Sequence, residues 1–133
     1  MGINLSEEVR NARLDAIETV AGTTPILRIR TGTMPTATSD SDVGTVLSEI
    51  TLPSDWMAAA SGGMKVKSGT WEDASADATG TATHFRLYKS DGTTCVMQGT
   101  VGTSAADMIV LSTSFVATQP FTVTAFTLID GNP

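Results

Sequence analysis

Residues 80–101 read GTATHFRLYKSDGTTCVMQGTV, and the fold turns on how this stretch is read. Two runs of strand-type sequence flank Ser90-Asp91-Gly92-Thr93. Asp-Gly between such runs is the signature of a type I′ hairpin, whose two central residues both need positive φ. A two-residue turn here pairs Lys89 with Thr94, Tyr88 with Cys95, Leu87 with Val96 and Arg86 with Met97. Phe85, Leu87 and Val96 then share one face, expected to be core. Arg86, Tyr88, Cys95 and Met97 share the other.

Outward from this hairpin the two-residue period recurs. Strands are expected near 26–31, 43–51, 64–71, 80–89, 93–101, 107–113 and 120–129. The last alternates Phe121, Val123, Ala125 and Thr127 with Thr122, Thr124, Phe126 and Leu128. Both of its faces carry apolar groups, which suggests cover on both sides. Seven short strands separated by turn signals predict a mainly β fold, an antiparallel sandwich or flattened barrel with one N-terminal α-helix.

That helix is read over 5–21. Ser6 is a good N-cap, and Glu7 and Glu8 lie in the first turn, where the helix dipole favours acids. Val9, Ala12, Ala16, Ile17 and Val20 form one apolar stripe, and Arg10, Arg13, Asp15 and Glu18 lie off it. Gly22 stands where a C′ glycine belongs, and Pro25 prevents continuation. Residues 32–42 and 72–80 read as irregular. Residues 53–63 read as one helical turn capped by Ser54 and ended by Gly62-Gly63. With no internal repeat and no linker, 1–133 is expected to be a single β-domain.

The bulk numbers agree. The chain has 133 residues, 41% hydrophobic and 17% charged, enough for one folded domain and its core. It holds 22 Thr, 12 Gly and 12 Ser, a composition that favours strands joined by tight turns. Such composition is common in extracellular β-domains and in virion proteins. With 8 Lys+Arg against 14 Asp+Glu and a net charge of −6, nucleic acid is not expected as a partner. The first ten residues have neither the basic nor the apolar region of a signal peptide. No apolar run approaches the roughly 20 residues of a membrane span, so no membrane partner is expected. The single cysteine, Cys95, forms no intrachain disulfide and suits assembly in a reducing cytoplasm.

Candidate chemistry is sparse. In the hairpin register above, His84 lies opposite Gly99, about 13 Å from Cys95, too far for a nucleophile pair. There is no G-x-S-x-G motif. Asp40-Ser41-Asp42 resembles half of a calcium loop, and Asp73 and Asp77 could add oxygens only if two loops converge. Gly62-Gly63-Met64-Lys65 lacks a P-loop frame and reads as a turn, and Gly99 and Gly102 read as bulges or bends. No catalytic residue, cofactor or metal is assigned. Trp56 and Trp71 are core anchors, interface residues or, as a lesser alternative, platforms for a sugar. Val9, Arg13 and Ile17 on the helix, with Trp56 and Trp71, form the possible interface set, since a lone helix ahead of a β-chain can dock on a neighbouring subunit.

Arg10-Asn-Ala-Arg-Leu-Asp-Ala-Ile-Glu18, Ile26-Leu-Arg-Ile-Arg-Thr-Gly32, the run from Leu52 to Gly63, Gly69-Thr-Trp71 and His84-Phe-Arg-Leu-Tyr88 occur in this order. Taken together, the whole chain resembles small proteins encoded in the structural gene clusters of tailed bacteriophages and prophages. The resemblance brings no catalytic residue with it. It implies a non-enzymatic virion component made in the host bacterial cytoplasm, whose partners are other virion proteins. A compact β-domain with an extra helix suits a capsid decoration or cement protein, acting as a homo-oligomer. A tail, baseplate or fibre component fits the same composition, and a glycan-binding host-attachment module is the reading from a different class.

Overall fold

The computed structural model describes residues 2–131. One helix, α1 (Glu7–Ala21), precedes ten strands. They are β1 (Ile26–Arg30), β2 (Val46–Thr51), β3 (Met64–Val66), β4 (Glu72–Asp73), β5 (Gly80–Thr81), β6 (His84–Tyr88), β7 (Cys95–Gly102), β8 (Met108–Val110), β9 (Ser114–Phe115) and β10 (Phe121–Ile129). The main sheet runs β2-β1-β6-β7-β8-β10-β3, with β4 also paired to β10 and β5 and β9 forming a small ladder of their own. All seven expected strands are present, and the fold is mainly β with one N-terminal helix.

The sheet curls into a half-barrel. Carried on β10, β4 comes back to β2, where the Ser48 hydroxyl donates to Asp73 at 2.8 Å and the Asp77 amide to the Leu47 carbonyl at 2.7 Å. Inside the curl lie Leu27 and Ile29 of β1, Phe85 and Leu87 of β6, and Val123 and Phe126 of β10. Trp56 and Trp71 fill the middle, 0% and 1% exposed, with ring centroids 6.0 Å apart. Both ends of the sheet are covered. The free edge of β3 bonds to residues 56–61, through Ala58 N–H to Val66 O and Ser68 N–H to Trp56 O. These bonds also correct the expectation for 53–63. The segment is an extended arm rather than a helical turn, because burying Trp56 and Met57 pulls it against β3.

Four further expectations are corrected. First, the type I′ turn lies at Gly62-Gly63 and not at Asp91-Gly92. Gly62 and Gly63 have φ of 63° and 72°, and Ser61 and Met64 exchange both backbone bonds across them. At 90–93 only Gly92 has positive φ, and the Gly92 amide donates to Lys89 O. Asp91 instead takes the Thr93 and Thr94 amides and the Thr94 hydroxyl on its carboxylate. These bonds organise a wider loop and hold the Asp91 carboxyl down to about 2.

Second, the expected pairing holds for Lys89–Thr94 and Tyr88–Cys95, but a bulge at Val96 then shifts the register. Leu87 faces Met97, Phe85 faces Gly99 and His84 faces Thr100. Gly99 is therefore not the bulge. It makes room for the Phe85 ring, because a Cβ there would lie 2.7 Å from that ring. Third, a register shift between Val123 and Ala125 changes the phase of β10. Phe126 joins Phe121 and Val123 inside, while Thr122, Thr124, Ala125 and Thr127 are exposed, so one face only is covered. Fourth, the sheet is mixed. β7 and β8 run parallel through Val101–Met108 and Gly102–Ile109. The connection is only residues 103–107, closed by Ala105 at φ 50° and by Asp107, which accepts the Thr100 amide at 2.8 Å.

Candidate functional site

The helix boundaries follow the expected signals. The Ser6 side chain accepts the Val9 amide, and the Gly22 amide donates to Glu18 O. The face it buries does not follow the apolar stripe. Leu14 and Ala21 are its buried residues, and they share a side with Glu7, Asn11 and Glu18. That side docks on the Gly62-Gly63 turn and on β3. The Gly62 amide donates to Glu7 at 3.0 Å and the Gly63 amide to Asn11 at 2.9 Å. From the sheet, Lys65 reaches Asp15 at 2.6 Å, Glu18 at 2.8 Å and the Ala58 carbonyl at 2.9 Å. Lys65 is 1% exposed. Burial opposes its charge, but the two carboxylates outweigh burial and raise its pKa, while the Lys65 hydrogen bond leads in lowering that of Asp15. Arg10 and Arg13 both hold Asp130, at its carbonyl and its carboxylate.

Because the polar side faces in, the stripe faces out. Val9, Ala12, Ala16 and Val20 are exposed, Val20 at 58%, and Ile17 is half-buried. Of the possible interface residues, Val9 and Arg13 are therefore on the surface. Trp56 and Trp71 are corrected to core, since a ring with no exposed face offers nothing to a sugar or a neighbouring protein.

A second feature emerges only once β1 pairs with β6. On β1 and β6, Arg28, Arg30, His84, Arg86 and Tyr88 point away from the core, yet all of β6 is buried. The cover is the loop 31–45, which lies as a strap over this face. Asp42 in the strap accepts from Arg86 at 2.7 Å, from Arg30 at 3.1 Å and from the Tyr88 hydroxyl. Arg86 also donates to the carbonyls of Thr38 and Asp40, Arg30 to that of Gly44, and Gln98 to that of Pro35. Burial pushes the Asp42 carboxyl up, but Tyr88, Arg30 and Arg86 together hold it below the usual carboxylate range. Burial, reinforced by Arg30 and Arg86, pushes His84 below the ordinary histidine value. The signal in the sequence is Arg28 and Arg30 on alternate positions of β1 and Arg86 on β6, with Asp40 and Asp42 on the loop between β1 and β2.

This geometry keeps the candidate chemical groups apart. His84 pairs with Thr100 and Tyr88 with Cys95, so His84 and Cys95 stand four residue pairs apart, about 13 Å at strand rise. Asp42 is engaged by two arginines, Asp73 by Ser48 and the Ser75 amide. Among the described residues no three His, Cys, Asp or Glu side chains converge as a metal site. No helix among them is long and apolar enough to cross a membrane. No family model matches the chain, and neither does any curated protein or solved structure compared with it.

Proposed function

We propose that the protein is a non-enzymatic structural component of a tailed-phage virion, in the first place a capsid decoration or cement protein. The observation that carries this reading is the orientation of α1. A helix that only completed its own domain would bury its apolar stripe. This one is clamped by Lys65, Asp130 and the Gly62-Gly63 amides, and it offers Val9, Ala12, Ala16 and Val20 to the outside. An exposed apolar stripe on a rigid element serves contact with another subunit. Here the neighbour is a second copy or another virion protein, and the excess of acidic groups keeps free copies apart before docking. Many copies with modest contacts each would hold by avidity. The resemblance to phage structural proteins supports the same reading.

The test is the copy number of this chain in purified particles, by quantitative mass spectrometry. Hundreds of copies are expected for a decoration protein. A few dozen or fewer would move it to a connector, baseplate or fibre, and absence from the particle would overturn the reading.

A further inference from the structure

The strap over β1 and β6 is closed at a neck. The Thr31 amide donates to the Thr45 carbonyl at 3.1 Å, and the Thr45 amide to the Thr31 hydroxyl at 2.9 Å. Gly32 and Gly44 stand just inside it, at φ of 83° and 81°, and a Cβ on Gly44 would run into the Thr31 carbonyl. Loop 33–43 is thus a compact Ω-loop hung from two glycines. Its grip on the sheet is polar. Residues 36–45 are exposed and Pro35 is buried. The hold comes from Asp42 and from the carbonyls that Arg30, Arg86 and Gln98 reach. The Asp40 carboxylate turns back into the strap and accepts the Ala37 amide at 2.9 Å.

Beneath the strap the bonding is incomplete. Five buried side-chain atoms lack a hydrogen-bond partner among the described residues, and four of them lie here: Arg30 Nε, His84 Nε2, Arg86 Nε and Gln98 Oε1. Water would satisfy all four once the strap lifts. His84 is 1% exposed, and it can change charge near neutral pH. Arg30 faces it from β1, Arg86 stands two residues along β6, and Asp42 faces it from the strap. On β7 its partner is Thr100, whose hydroxyl bonds to Asp107. The Thr83 hydroxyl donates to the Gly32 carbonyl, so it accepts from His84 Nδ1 at 3.0 Å and Nε2 carries no proton. A proton there would add a third cation beside two guanidiniums that share Asp42.

We propose that the strap is an acid-released cover: a proton taken up at His84 Nε2 lifts loop 33–43 as one unit about the Gly32–Gly44 neck and uncovers Arg30, Arg86 and Tyr88. Burial leads in lowering the His84 pKa, against the Gly32 carbonyl; Arg30 and Arg86 lower it further, and Asp42 opposes them. The closed strap therefore binds this proton less tightly than the open one, and falling pH favours opening. Asp42, also held below its usual range, adds its own release only below about pH 4.

The test is the labelling rate of Cys95, the only cysteine of the chain. It is half-buried and shares a cavity of about 440 Å³ with strap residues 38–42, so a bulky maleimide reaches it when the strap lifts. Rates in the native chain are divided by those in His84→Gln at the same pH, which cancels the thiol's own titration. The ratio should rise from about one at pH 7.5 to roughly five or more at pH 5, while hydrogen exchange in β10 stays slow. His84→Asn serves as the reference if the Gln variant does not fold. His84→Lys, with its fixed charge, should label fast already at pH 7.5. A ratio near one at every pH would overturn the proposal. So would a rise accompanied by exchange throughout β10, which is unfolding of the whole chain, or slow labelling of a folded His84→Lys variant.

Discussion

The clamp at Lys65 predicts an asymmetry between its two sides. The ammonium is 1% exposed, whereas the side chains of Asp15 and Glu18 are 48% and 24% exposed. Replacing Lys65 by Met frees two carboxylates that can take up water, and the thioether fills most of the vacated space. The expected cost is about 1 kcal/mol, as for partly screened pairs. Replacing Asp15 by Asn and Glu18 by Gln leaves the ammonium buried with amide oxygens and the Ala58 carbonyl but no countercharge. That should cost about 3 kcal/mol, the low end for an uncompensated buried charge. With a urea slope of about 2 kcal/mol per M, the midpoint should fall by about 1.5 M for the double carboxylate variant and about 0.5 M for Lys65→Met. Urea unfolding followed by tryptophan fluorescence reads both, since Trp56 and Trp71 are buried and Trp56 donates to the Gly22 carbonyl behind the helix. In the Lys65→Met background the two carboxylate changes should cost little. The pH dependence follows from the directions of the shifts. The lowered Asp15 carboxyl contributes stability above about pH 4 that is lost as pH falls through its folded pKa. The raised Lys65 contributes stability below about pH 10.5 that is lost as pH rises through its folded pKa. Equal costs for the two variants, or a larger cost for Lys65→Met, would refute the reasoning.

Asp42→Asn should cost about 3 kcal/mol, because Arg30 and Arg86 are buried beneath the strap, and hydrogen exchange should rise first in residues 34–44. His84 has a lowered pKa, so the unfolded chain binds its proton more readily, and stability should decline as pH falls below about 6.5; His84→Gln should flatten that slope in a urea series over pH. Gly63→Ala should destabilise by about 1–3 kcal/mol in thermal or urea unfolding, since φ is 72° and the new Cβ would lie 2.4 Å from an Arg10 nitrogen. Val9→Ser with Val20→Ser should change monomer stability by no more than about 1 kcal/mol while lowering incorporation into particles, measured by mass spectrometry of purified virions.

Local signals were sound wherever a single residue's backbone preference decides the outcome. Ser6, Gly22 and Pro25 bound the helix, and alternation located the seven main strands. Errors arose where one inserted residue changes the phase. The bulges at Val96 and near Thr124 each move every later side chain to the opposite face, and no local pattern marks them. The orientation of the helix has a different cause: Val9, Ala16 and Val20 share one side, but the sheet edge presents Lys65 and two glycine amides, which recruit the polar side. The strap was hidden in residues that look merely small and polar. Its meaning lies in Arg30 and Arg86, far apart in sequence and adjacent only once β1 pairs with β6.

The arm over β3 and the bonds from Asp77 and Ser48 at β2 have a consequence for crowding. Copies gathered at high density would otherwise tend to zip their sheets into continuous ribbons. The arm bonds along the β3 margin and Asp77 meets the β2 margin at Leu47, which leaves fewer free backbone groups for a neighbouring sheet to pair with.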